Sequence, residues 1–223
     1  MPIFIFTMSQ LTEIDLNSWS RKEHFNFFNE FAQPYFNVCV SLNMEPLFQY
    51  CKSHSISFSS AYVHALGQAI NDYEPMRMRI KDNKPVICET VEQSIVTLAD
   101  DETFRFVTLS TEMTLEDFDK MLKIQKSVVH NEALFSERVT TNEKRLDVSH
   151  VSILPWLNFS AFSHATNFGK STGIPKCVFG RYNAETGLTP LSIDVHHALM
   201  DGLHVANFVD KLQKKLDEIR VND

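Results

Sequence analysis

The chain has 223 residues, of which 43% are hydrophobic and 22% charged, with 21 Lys and Arg against 28 Asp and Glu. This composition is that of a globular protein. The formal charge is −7 and no segment is rich in Lys and Arg, which argues against a nucleic-acid partner. No stretch approaches the ~20 apolar residues of a membrane span, so we expect no membrane partner.

No linker, charge block or repeat divides the sequence, and we expect residues 1–223 to form a single domain. The apolar start MPIFIFTM lacks the basic residues and cleavage site of a signal peptide. Met8 offers an alternative start, which would leave residues 1–7 outside the natural chain. The scattered Cys39, Cys51, Cys88 and Cys177 contain no CxxC pair, which indicates reduced thiols in a cytoplasmic protein and no metal site.

Helical periodicity occurs in three segments, which are 18–31, 57–72 and 114–131. Ser18 is a candidate cap for the first segment. The third opens on Thr114-x-x-Asp117, which resembles a capping box.

Strand-like runs lie between these helices, at 37–44, 93–100, 104–110, 147–156, 176–182 and 191–197. Helices and strands interleave without a strict βαβ rhythm. We therefore predict an α/β fold: a two-layer sandwich with a mixed, mainly antiparallel sheet and helices packed largely on one face.

The stretch PLSIDVHHALMDGLHVANFVDKLQKKL, residues 190–216, changes from strand to helix periodicity. Strand alternation places His197 on the apolar face, and His196 on the other. The two histidines are therefore poorly placed to share a metal ion, and general-base use of His197 fits better. A hydrogen-bonded core histidine is the commoner alternative.

HHALMDG, residues 196–202, matches the HHxxxDG signature of CoA-dependent acyltransferases. Further segments resemble the chloramphenicol acetyltransferase family, in that family's order and at its spacing. They include NSWSRKEHFNFF near the start, MRMRIKDNKPVICETV at 76–91 and SILPWLNFSAF at 152–162. The resemblance covers nearly the whole chain.

The resemblance implies acetyl transfer from acetyl-CoA, a co-substrate, to a hydroxyl of the antibiotic, with no bound cofactor, metal or acyl-enzyme. It makes His197 the general base and Ser152 the hydroxyl that donates to the tetrahedral oxyanion. Asp201 would pair with Arg21 and hold the loop in shape. We expect Gly202 to allow a tight turn after Asp201 and His196 to be structural.

The same resemblance implies an acceptor pocket and a coenzyme site between the subunits of a homotrimer, with His197 facing a neighbour's pocket. Tyr182 and Arg181 would lie near the coenzyme. The pocket residues it implies are Phe28, Phe104, Phe135 and Phe162.

Four positions depart from the family pattern. Phe28 replaces a tyrosine that hydrogen-bonds the acceptor, Val178 replaces a threonine, His150 stands where some members have Asn, and Phe106 is bulkier than its counterpart. Two alternatives therefore stay open beside chloramphenicol acetylation. One is acetylation of another hydroxylated small molecule, and the other is a catalytically silent homologue that serves as a binding module.

Overall fold

In the computed structural model, the described residues are 9–134, 136, 139–140, 144–165 and 171–219. Their strands are β1 (Leu11–Glu13), β2 (Tyr35–Asn43), β3 (Met78–Lys81), β4 (Lys84–Cys88), β5 (Glu92–Leu98), β6 (Phe104–Leu109), β7 (Val148–Ile153), β8 (Lys176–Phe179) and β9 (Leu188–His196). Their helices are α1 (Lys22–Phe28), α2 (Glu45–His54), α3 (Phe58–Asn71), α4 (Glu74–Arg77), α5 (Leu115–Val129) and α6 (Gly202–Glu218). Within these ranges no helix has the length and apolarity needed to cross a bilayer.

Two sheets organise the strands. The larger has the order β2-β9-β8-β7-β5-β6, and the smaller has the order β1-β4-β3. In the larger sheet β7 pairs in parallel with both β8 and β5, while the other neighbours are antiparallel. The predicted mixed, mainly antiparallel sheet is confirmed.

The core lies between one face of the larger sheet and helices α3, α5 and α6. Val151, Ile193 and Val195 on that face are fully buried. Helix α3 is apolar on nearly all sides, as expected of a helix surrounded by other elements. It begins at Ser57, whose hydroxyl accepts from the Ser60 amide.

Gly67 brings α3 unusually close to the segment that follows β6. A Cβ on this residue would lie 2.5 Å from Thr111 Cγ2. The helix could not pack at this distance with any larger residue.

A fully buried arginine, Arg79 in β3, links the small sheet to the large one. Its guanidinium donates to the carbonyl oxygens of Met76, Met78, Leu146 and Val148 at 2.7–2.9 Å. The four carbonyl oxygens therefore replace the water molecules that the guanidinium loses when it is buried.

The first predicted helix begins later than expected. The Ser18 and Trp19 amides both donate to the Asp15 carbonyl, and the Ser18 hydroxyl donates to the Asp15 side chain. Ser18 therefore belongs to a turn, and its prediction as a helix cap is wrong. Helix α2 was not predicted at all, whereas α3 and α5 lie within one or two residues of the predicted bounds.

Candidate functional site

His197 is the first residue after β9, one residue beyond the end of the strand. Its amide donates to the Pro34 carbonyl at 2.9 Å. The imidazole stacks on the Phe28 ring, with centroids 3.9 Å apart and planes within 5°, and the Phe36 ring lies 4.8 Å away. Nδ1 is buried and the residue as a whole is partly exposed, so Nε2 is the nitrogen that remains for an approaching hydroxyl. The two phenylalanine rings pack against the imidazole and fix its orientation.

Arg21 and Asp201 form an ion pair beside the turn that contains His197. Arg21 Nη1 donates to Asp201 Oδ2 at 2.7 Å, and Arg21 Nη2 donates to the His197 carbonyl at 3.2 Å. Asp201 caps α6, and its Oδ1 accepts from the Leu203 amide at 3.1 Å. Although partial burial raises the pKa of Asp201, hydrogen bonds from His204 and Arg21 outweigh it and hold that pKa well below its ordinary value.

His196 organises the same turn from a fully buried position on the other face of the sheet. Its carbonyl accepts from the Leu199 and Met200 amides, both at 3.0 Å, and its Nδ1 accepts from the Ala198 amide at 3.2 Å. Burial, with a smaller effect of neighbouring His197, lowers the pKa of His196 to about 4. This ring is therefore neutral at neutral pH.

The tight turn predicted at Gly202 is wrong. Gly202 is the first residue of α6, and it is absent from the residues with positive φ. A Cβ there would meet nothing within 4 Å. The turn is instead made by residues 197–199. A different glycine supports it: Gly173 has φ +75°, and a Cβ on it would lie 2.5 Å from Leu199 Cδ1.

Ser152 lies in β7 on the opposite face of the large sheet from the core. It pairs with Val178, which pairs with Ser192, so Ser152 is about 10 Å across the sheet from β9. From Ser192 to His197 the chain advances about 16 Å along the strand. The Cα atoms of Ser152 and His197 are therefore about 19 Å apart, and one chain cannot bring both side chains to one substrate atom.

The predicted pocket residues also separate into some that lie on the Ser152 face of the sheet and one that lies beside His197. Phe104 in β6 shares the Ser152 face, and so does Phe106, one of the departures from the family pattern, which contacts Phe104 edge to face at 5.4 Å. Phe162 contacts His164, which bonds to Asp194 on that face. Phe28 instead lies against His197. Phe135 lies outside the described residues.

His150 shares the Ser152 face and lies two residues before it. Burial, together with the positive charges of Lys176, Arg79 and His164, lowers its pKa to about 4. A cavity of about 460 Å³ also opens on this face, lined by 39–41, 158–160 and Pro190, none of which were predicted pocket residues.

Tyr182 lies in a separate aromatic cluster. Its hydroxyl donates to Glu45, and its ring stacks on Phe48 at 4.6 Å and meets Phe58 edge to face at 5.5 Å. Burial and the hydrogen bond to Glu45 raise the pKa of Tyr182 to about 12, so the hydroxyl keeps its proton. Arg181 next to it is exposed.

Sequence reasoning missed Glu45, Phe48, Phe58 and His204. The spacing Asp201-x-x-His204 resembles a capping box and could have identified the last. Glu45 and Tyr182 are 137 residues apart in the chain, so no local signal joins them.

The fold of this chain matches those of solved acetyltransferases. Among solved structures, a chloramphenicol acetyltransferase matches with TM-score 0.84 and 21% identity, covering 93% of this chain and 100% of that one. A probable dihydrolipoamide acetyltransferase from Listeria monocytogenes matches with TM-score 0.64 and 12% identity, covering 90% and 91%. At these identities the likeness concerns the fold.

Sequence comparison gives the family. The family model described as chloramphenicol acetyltransferase matches residues 9–213. A chloramphenicol acetyltransferase from Klebsiella sp is 31% identical over 93% of this chain and 94% of its own length. Chloramphenicol acetyltransferase 3 from Escherichia coli is 30% identical over 91% and 95%. The chain belongs to the chloramphenicol acetyltransferase family.

Replacement of Asp201 by Asn should destabilise the fold, because it leaves the Arg21 guanidinium nearly buried beside a neutral partner. The side chains are 11% and 36% exposed, so the pair is neither a surface pair nor a fully buried one. We expect D201N to lower the free energy of unfolding by about 1–3 kcal/mol in urea titrations. The control is E13Q, which breaks the exposed Lys84–Glu13 pair and should change stability by less than about 0.5 kcal/mol. If D201N and E13Q lowered the free energy of unfolding equally, the stronger effect expected from burial of the Arg21–Asp201 pair would be contradicted.

Stability should also fall as the pH is lowered from about 6.5 to about 4, because His150 and His196 bind protons in the unfolded chain before they do so in the folded one. Each contributes up to about 3 kcal/mol over this window, and the loss levels off below the folded pKa. The measurement is the denaturation midpoint against pH at fixed protein concentration. H150N should show a shallower slope by about one proton, and an unchanged slope would contradict the assignment.

Proposed function

We propose that this protein is an acetyl-CoA-dependent O-acetyltransferase that acts on chloramphenicol, with His197 as general base. The observation that carries the proposal is the imidazole of His197, which packs against Phe28 and Phe36 with Nδ1 buried while the residue stays partly exposed. Membership of a family whose relatives bear the chloramphenicol acetyltransferase name supports both the acceptor and the acyl donor.

In the proposed reaction His197 Nε2 takes the proton of the acceptor hydroxyl as its oxygen attacks the thioester carbonyl. Ser152 donates a hydrogen bond to the oxyanion of the tetrahedral intermediate, where negative charge develops. The intermediate collapses by breaking the carbon–sulfur bond, and the imidazolium returns its proton to the leaving thiolate. The products are the acetyl ester and CoA, and no acyl-enzyme forms.

The separation of the two residues determines the proposed assembly. Because Ser152 and His197 lie on opposite faces and about 19 Å apart in one chain, the base of one subunit must meet the oxyanion donor of another. A homotrimer with cyclic symmetry gives three equivalent sites of this kind. In this arrangement Phe104, Phe106 and Phe162 come from the chain that supplies Ser152, and Phe28 comes with the base.

We place the coenzyme beside Tyr182 and Arg181, where an exposed guanidinium adjoins an aromatic cluster. All four cysteines lie in the described part of the chain and are free thiols, which fits the cytoplasm proposed for it.

Two observations favour a second acceptor class. Phe28 presents a ring without a hydroxyl directly against His197, and Val178 next to Ser152 is a fully buried apolar side chain. A site without hydroxyl groups at positions 28 and 178 would favour a less polar hydroxylated acceptor than chloramphenicol.

The first experiment is release of free thiol from acetyl-CoA by the purified protein, with and without chloramphenicol. Chloramphenicol-dependent release is expected, and S152A should reduce kcat by about 100-fold. H197A should reduce it by about 10²–10⁴-fold, because the general base is lost. Release only with other hydroxylated acceptors would move the assignment to the second class. Equal activity of H197A and the unchanged protein would exclude His197 as base, and no release with any acceptor would favour the silent homologue.

Mixing the two inactive variants tests the shared site. When H197A and S152A chains are co-assembled at equal amounts, about a quarter of the interfaces pair an intact His197 with an intact Ser152. We expect about a quarter of the original activity in the mixture, although neither variant alone is active. The control is a mixture of separately assembled H197A and S152A oligomers, assayed before subunits exchange between them. Absence of recovery in co-assembled protein would show that each site lies within one chain.

A further inference from the structure

The side chain of His204, on the first turn of α6, contacts the carboxylate that holds the His197 turn. Its Nδ1 lies 2.8 Å from Asp201 Oδ1, and the Asp201 amide approaches the same nitrogen at 3.3 Å. The side chain is 26% exposed, so the contact is partly shielded from water.

The position of a proton follows from these distances. An unprotonated Nδ1 and a carboxylate oxygen 2.8 Å apart would oppose two lone pairs, which is unfavourable. A hydrogen bond from the Asp201 amide at 3.3 Å would need the same lone pair, but the contact with the charged carboxylate is shorter, so we assign a hydrogen to Nδ1 that it donates to Oδ1. With this assignment the ring does not accept from the Asp201 amide.

Asp201 thus accepts from three donors: Arg21 on Oδ2, and His204 and the Leu203 amide on Oδ1. The Leu203 amide already satisfies the helix cap. The bond from His204 adds a second fixed contact on the same oxygen, and so sets the rotation of the carboxylate and the place of its other oxygen.

That second oxygen holds Arg21, and Arg21 reaches the His197 carbonyl with its other nitrogen at 3.2 Å. This distance is at the long end of the range for hydrogen bonds. A small rotation of the Asp201 carboxylate would therefore withdraw the guanidinium from the turn that carries the base.

We infer that His204 is a positioning residue for His197, acting through Asp201 and Arg21, and this inference rests on the proposed function. A plain helix-capping role predicts a loss of stability only. A positioning role predicts in addition a loss of kcat in protein that remains folded, since a misplaced base lowers the rate steeply.

The test compares H204F, which keeps a ring but removes the donor, with H204N. The Asn side-chain nitrogen is attached to Cγ as Nδ1 is, and can donate to the same oxygen. We expect H204F to lower kcat about tenfold with KM for both substrates within twofold, and H204N to stay within threefold of the original kcat. The D201N/H204F double variant should be no slower than D201N within twofold, because both changes break one chain of contacts.

The matched control is T114A, which removes the Thr114 cap of α5, where Oγ1 accepts from the Asp117 amide at 3.2 Å, away from the His197 turn. It should lower the melting temperature as H204F does but leave kcat unchanged. An equal fall of kcat in T114A would overturn the inference. So would an H204F kcat within twofold of the original, an H204N no better than H204F, or multiplicative losses in the double variant.

Amide hydrogen exchange separates this inference from the proposed function. H204F should exchange faster across 197–201, and T114A only near the start of α5. If the unchanged protein releases no thiol with any acceptor, the proposed function fails. Amide hydrogen exchange alone then tests whether His204 is coupled to the His197 turn. Faster exchange at 197–201 in H204F then supports the coupling, and unchanged exchange overturns it.

Discussion

The ion pair between Arg21 and Asp201 is the contact on which the rest of the site depends. It joins the residue before α1 to the residue before α6, which are 180 positions apart in the chain. The same guanidinium reaches the His197 carbonyl, so the pair fixes both the start of α6 and the turn before it. Because Arg21 is nearly buried, the charge has no water to return to if its partner is lost.

The geometry of the large sheet explains why the candidate site residues all occur in one sequence but lie apart in the folded chain. Strand β9 is buried on both faces, so alternation sends Ser192 and Asp194 toward the Ser152 side and Ile193 and Val195 toward the core. The end of the strand then turns His197 back against Phe28 and Phe36. Ser152 and His197, the two residues of the proposed chemistry, therefore lie on two surfaces of one chain.

Periodicity predicted α3, α5 and the strands of the large sheet well, because their apolar patterns are strong. It missed α2, which buries only Leu47 and Cys51, although Pro46 in its first turn is a start signal. Motif spacing identified His197 and Asp201 as candidates, and the family resemblance added Arg21. Neither could give the pairing of β7 with β8 and of β8 with β9, which depends on long-range register and shows that Ser152 is remote from His197 in one chain.

Arg79 has a consequence for the way the protein unfolds. Its four carbonyl partners come from β3, from α4 and from the chain around the start of β7, so neither sheet can leave the other while that cation stays satisfied. Among the described residues, the hydrogen bonds of this guanidinium all go to carbonyl oxygens. Separating the sheets would leave its charge without these partners, at a cost larger than that of losing a few apolar contacts. We therefore expect the small sheet and the large sheet to melt in one cooperative transition, without a stable intermediate that retains only one of them.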